Sequence, residues 1–161
     1  MLATIIDELN GTFSEVPPLI ATVRLAMAMI LGGIIGFERE WRQKAAGLRT
    51  HMLVSIAACL FILVGLELSS LEFGGDEAKR VDPLRLIEAT TAGVAFLAAG
   101  LIFTSGGKVK NITTGASLWL VGAIGLACGA GQMPLAAIAT AIVVLVVAIL
   151  GMIERRREKR E

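Results

Sequence analysis

The sequence predicts an all-α integral membrane bundle of five transmembrane helices, with the N-terminus outside and the C-terminus cytoplasmic. Three observations carry this. Hydrophobic residues fill 55% of the 161 positions and charged residues 18%, against about 45–50% and about 25% in a soluble domain. The charges gather at 38–49, 67–88, 108–110 and 154–161 and leave long apolar runs between them. Each run is about 19–22 residues long, which suits a helix crossing a hydrocarbon core about 30 Å thick. Two cysteines do not make a disulfide scaffold, and this much apolar sequence is not a disordered chain. A net charge of +1 offers no basic surface for nucleic acid.

The runs are 19–37, 50–68, 84–105, 112–132 and 134–153. Residues 1–18 form a short N-terminal interfacial segment, cut from the first helix by Pro17-Pro18, and 154–161 a basic cytoplasmic tail. In the first run Arg24 is the only charge. Gly47 suits the C′ stop of a first helix extended to about Ala46. Thr50 can cap the second helix. Asp82-Pro83 has the pattern of an N-cap followed by N1. Asn111 or Thr113 can cap the fourth helix, and Pro134 opens the fifth. Only Gln132-Met133-Pro134 separates the last two runs, so a tight hairpin dipping into the bilayer is the alternative to two full spans.

Orientation follows from lysine and arginine. The 38–49, 106–111 and 154–161 segments hold four, two and five of them. Residues 1–18, 67–88 and 132–134 hold none, three and none. Alternating sides gives eleven against three, which places the first group inside. Positive charge follows the first apolar run rather than preceding it, the reverse of a cleaved signal peptide.

No catalytic or metal-binding pattern stands out, and no cofactor is implied: GxSxG, HExxH, Walker and CxxC motifs are missing. The single histidine, His51, is best taken as a polar anchor at the start of the second helix. Cys59 and Cys128 lie within spans and suit packing. Gly32, Gly36, Gly93, Gly100, Gly122, Gly125 and Gly129 are expected at helix contacts, since small residues let helices approach closely in lipid. These stripes serve packing within one bundle or a homo-oligomer interface.

Charges within spans are functional candidates. Arg24 lies about 7.5 Å and Glu88 about 6 Å below the outer edge, at about 1.5 Å rise per residue. Matched depth and opposite sign predict an intramembrane ion pair. At the inner mouth Glu38 and Arg42 are spaced i,i+4, a favourable order for pairing, and Arg49 is expected to hold Glu38 across the 38–49 turn.

Gly32-Gly33-Ile34-Ile35-Gly36-Phe37-Glu38-Arg39-Glu40-Trp41-Arg42, then Ala46-Gly47-Leu48-Arg49-Thr50, resembles the GxxxGxER…R…AGLRT signature of the MgtC/SapB family. Residues 92–100 resemble its GIGFLGAG segment, 113–119 its TAATLW segment and 125–131 its GxxCGxG segment. Ala95 and Ala98 replace two of the glycines, and Asn111 stands where glycine is frequent. The resemblance covers about 20–153. It implies the short form of the family, without the soluble C-terminal domain of longer members. It also implies a multi-pass protein of the bacterial inner membrane, linked to adaptation to low magnesium (magnesium homeostasis) and, in pathogens, to virulence. The residues it singles out are Glu38, Arg39, Arg42, Gly47, Arg49 and Thr50 at the cytoplasmic mouth, with Thr113 and Trp119 further in.

The function expected is therefore non-enzymatic, exerted by helix–helix contact. Expected partners are the lipid bilayer, a second copy of the chain in a homo-oligomer such as a dimer, or another inner-membrane protein complex. The rival is a small cation transporter or channel. The span middles hold glycine, alanine, leucine, Ser55, Thr90 and Thr91, without the carboxylates that a divalent-cation path would use.

Overall fold

A computed structural model describes residues 1, 13–70 and 82–158. Among the described residues five helices make up the bundle: α1 Pro18–Trp41, α2 Leu48–Ser70, α3 Pro83–Leu101, α4 Ile112–Gly129 and α5 Met133–Glu158. The first four are long and apolar enough to cross a membrane, and the apolar part of α5 is the shorter stretch Met133–Ile149. The chain is an all-α membrane bundle. Helix α4 touches every other helix, whereas α3 packs mainly on α4 and only lightly on α2.

Glycine sets the closest approaches, as it does where lipid supplies no hydrophobic drive between helices. A Cβ at Gly32 would stand 2.7 Å from the Ser55 Cβ, and one at Gly36 2.8 Å from the Leu48 Cα. From the other side of α2, a Cβ at Gly125 would overlap the Ser55 carbonyl, and one at Gly129 would stand 2.7 Å from the Cys59 carbonyl oxygen. Helix α2 is thus gripped by α1 and α4 at one level, Ser55. Gly115 admits Ile102, just past the end of α3, and Gly122 admits Val94 of α3. Gly93 and Gly100 were expected at such contacts too, but both face open space on α3. Cys59 and Cys128 are fully buried packing residues.

Several boundaries differ from expectation. Helix α1 does not run to Ala46. It ends at Trp41, where Gln43 takes the left-handed conformation (φ 53°) expected of Gly47. Gln43 N–H donates to the Glu40 carbonyl and Lys44 N–H to the Arg39 carbonyl, which closes the end in a Schellman arrangement. Gly47 instead precedes α2, and Thr50 is an exposed residue of its first turn rather than its cap. Asp82 does cap α3, accepting from Leu84 N–H at 3.0 Å.

The third helix stops at Leu101, short of 105. Phe103–Ser105 and Lys108–Lys110 pair as an antiparallel ribbon, β1 and β2. Gly106 (φ 60°) and Gly107 (φ 73°) supply the two positive φ values that a tight hairpin needs. Asn111 precedes α4 in the left-handed region and makes no capping bond. Its Nδ2 donates to the Leu101 carbonyl and closes the hairpin. The fourth helix ends at Gly129 rather than 132. Gly131 (φ 79°) turns the chain there, and Gln132 N–H reaches back to the Ala127 carbonyl. Helix α5 carries on to Glu158, into the expected tail. Residues 2–12 of the N-terminal segment, 71–81 of the acidic loop and 159–161 lie outside the described residues.

The contacts also sort the helix ends. Glu67, near the end of α2, meets residues 14–16 before α1. Arg24 of α1 meets the end of α4. At the opposite pole Gly36 meets Leu48, His51 meets Ser117, and Arg42 meets Ala148. The 38–49 segment, the hairpin and the last turns of α5 therefore share one end of the bundle, the end with most of the lysine and arginine. Cysteine introduced at Lys108 should be shielded from an impermeant thiol reagent in intact cells, and cysteine at Glu15 should react. The background should lack Cys59 and Cys128. The reverse labelling pattern would invert the orientation.

Candidate functional site

The basic pole is built on the last turns of α1. Its inward stripe runs Ala28, Leu31, Gly32, Ile35, Gly36 and then Arg39, all buried. The i,i+3/i+4 spacing of a core face thus continues into an arginine that is only 2% exposed. A charge in that position needs a partner, and Glu38 supplies it. Arg39 Nε donates to Glu38 Oε2 at 2.5 Å, and Arg39 Nη2 lies at the same distance. Arg42 Nε pairs with the other oxygen, Glu38 Oε1. Both carboxylate oxygens are thereby engaged. Arg42 Nη2 also donates to the Ala148 carbonyl of α5 at 3.2 Å, across the space that a side chain at Gly151 would fill. Through Arg42 this cluster ties the end of α1 to α5.

Arg49 takes no part. It is exposed, and Glu38 is held by Arg39 and Arg42, so the expected Arg49–Glu38 contact is replaced by two on α1 itself. The reach across the turn is made by Glu40. Its Oε2 accepts from Leu48 N–H at 2.8 Å and satisfies a free donor at the start of α2. This explains Gly47: a Cβ there would stand 2.7 Å from that oxygen.

One turn further along α2 is His51, fully buried. Its Nδ1 lies 2.8 Å from the Gly47 carbonyl and its Nε2 3.1 Å from Ser117 Oγ on α4. Ser117 Oγ lies 2.9 Å from the Thr114 carbonyl. Sequence reasoning singled out Thr113 and Trp119 on α4, but both are exposed, and their neighbours Thr114 and Ser117 face inward. Outward-facing Trp41 and Phe37, with ring centroids 6.1 Å apart, form an aromatic pair suited to the membrane interface.

At the other pole, among the described residues, no ion pair joins Arg24 to Glu88. Glu88 is exposed on α3. Arg24 Nη1 donates to the Gly129 carbonyl at 2.7 Å, and its guanidinium packs over Gly131. The last carbonyls of a helix lack intrahelical partners and carry partial negative charge. Arg24 therefore caps α4, and matched depth alone did not decide its partner. Glu67 was missed as well. Its carboxylate accepts from the backbone N–H groups of Ser14, Glu15 and Val16 and from the Ser14 hydroxyl, at 2.8–3.2 Å. Among the described residues no three His, Cys, Asp or Glu side chains converge as a metal site would require.

These features define a multi-pass α-helical membrane protein with its buried charges gathered at the helix ends. The GxxxGxER…AGLRT run spans the last turns of α1, the connecting turn and the start of α2, and it carries Glu38, Arg39 and Arg42 of the basic pole. The model of the MgtC family matches residues 25–156, and the chain belongs to that family. Protein MgtC of Brucella abortus strain 2308 is 43% identical over 126 residues, covering 78% of this chain and 49% of that protein. Protein MgtC of Salmonella typhimurium strain LT2 is 41% identical over 121 residues, covering 75% and 48%. The chain thus spans about half the length of the curated relatives it matches. No solved structure matches it.

Proposed function

We propose that this protein is a non-enzymatic inner-membrane regulator that serves adaptation to low magnesium and, in a pathogen, virulence. It acts by helix–helix contact with itself or with a membrane partner. Family membership supports the setting, and the outer face of α3 supports the mode. Only 17% of the α3 span is buried, against 56% of the α4 span. Gly93 and Gly100 present bare backbone on it, beside an apolar groove of about 750 Å³ between α2 and α3. Backbone exposed in this way is what a second transmembrane helix packs on. The carboxylate at the basic pole is already held by two arginines, which weighs against its serving as a cation ligand.

Gly93→Leu tests the reading. The side chain enters open space, so the protein should accumulate normally. It should nevertheless fail to restore growth at low magnesium to a strain lacking its own family member. Full rescue would remove α3 as the contact face. Magnesium flux into liposomes holding the purified protein, above that of empty vesicles, would favour transport instead.

A further inference from the structure

We propose that His51 is a proton-binding site built into the junction of α1, α2 and α4, with Ser117 as the group that adjusts to either protonation state. The hydrogen bonds around the ring carry the proposal. The Gly47 carbonyl can only accept, so Nδ1 holds a proton in both states. Nε2 meets a hydroxyl, which can donate or accept. When the ring is neutral, Ser117 donates its hydrogen to the Nε2 lone pair. When the ring is charged, Nε2–H donates to Ser117 Oγ, and the Ser117 hydrogen turns to the Thr114 carbonyl, 2.9 Å away. Both states are fully bonded, and no heavy atom has to move. A histidine serving only as an anchor needs one of these states, whereas the surroundings of His51 satisfy two.

The transfer is simple. A proton from water at this end of the bundle adds to Nε2, and one hydroxyl rotates. His51 lies in the first turn of α2, and the backbone that anchors it, at Gly47, is half-buried, so brief opening of that turn admits the proton. The charged groups that act on the ring are Glu38 and Arg39, both from α1. From α4 it meets Ser117, which does not titrate in this range. Protonation places a positive charge near buried Arg39, where α1 and α2 touch through Gly36. The junction therefore responds to acidity on the basic side of the bundle. This inference is independent of whether α3 binds a partner.

The sequence holds one histidine, so imidazole resonances have a single origin when the chain carries no histidine tag. The experiment is an NMR titration of the ¹⁵N-histidine-labelled full chain in detergent micelles. The neutral ring should carry its proton on Nδ1, and acidification should convert it to imidazolium in one step with helical content unchanged. Hydrogen bonds to a charged group are stronger than neutral ones, so Ser117→Ala should bind the proton about tenfold more weakly. Ser117→Thr, which keeps the hydroxyl, should stay close to the parent. A neutral ring protonated on Nε2 would overturn the proposal in the unmodified protein, whatever the variants do. So would a ring that does not titrate between about pH 4 and about pH 9, or a Ser117→Ala titration equal to the parent's.

Discussion

Gly125→Ala is expected to destabilise the bundle by about 3 kcal/mol, at the upper end of the usual cost of overpacking. The new methyl would overlap the Ser55 carbonyl. That oxygen belongs to the backbone of α2, so no rotamer change relieves the clash, and α2 and α4 must part. Any shift of α2 away from α4 presses Ser55 toward Gly32, which is already in close contact on the opposite side. Gly93→Ala is the matched control. It adds the same methyl where nothing lies within 4 Å, and it should be neutral or slightly stabilising because alanine favours helix. Unfolding of both variants by denaturing detergent, followed by circular dichroism, gives the comparison. Equal stability of the two would mean that the α2–α4 contact is looser than Gly125 requires.

Much of this architecture was legible in the sequence because bilayer thickness imposes one length on every span. Charge clusters between apolar runs located the helices to within a few residues, and the basic count grouped the ends that the contacts bring together. What escaped were local backbone choices and individual partners. Glycine is the usual left-handed stop, yet Gln43 takes that role because Gly47 is needed to leave room for the Glu40 carboxylate. Gly106-Gly107 sits just past the 84–105 run, and the helical length of that run hid the strand Phe103–Ser105 at its end. Arg24 and Glu88 share a depth without sharing a direction, and depth is all that residue spacing conveys. On α4 the resemblance drew attention to Thr113 and Trp119, while the helical face that meets α2 begins one residue later, at Thr114. Small residues mark a close approach but do not say to what. Gly125 and Gly93 look alike in sequence, and only one of them is packed.

Loss of Glu38 is the second large expected effect, and it separates the site as built from the site as first expected. Glu38→Ala leaves Arg39, with a side chain 3% exposed, without its carboxylate. It also frees Arg42 from α1, although the Ala148 carbonyl still holds it. Breaking a buried pair by removing one partner costs about 3–5 kcal/mol. The Glu38 side chain is 16% exposed, so solvent and headgroups relieve part of that, and about 3 kcal/mol is expected. Arg49→Ala removes an exposed cation that does not touch Glu38, and it should cost under about 0.5 kcal/mol. If Arg39 is the group left unpaired, then Glu38→Ala combined with Arg39→Met should recover part of the loss, because a buried pair replaced by apolar residues is often near neutral. The coupling energy from that double-mutant cycle, measured as unfolding in detergent, should exceed about 1 kcal/mol. The cycle between Glu38 and Arg49 should give a value near zero. A large Glu38–Arg49 coupling with none to Arg39 would mean that the carboxylate turns across the 38–49 segment after all, and that Arg39 finds its compensation elsewhere.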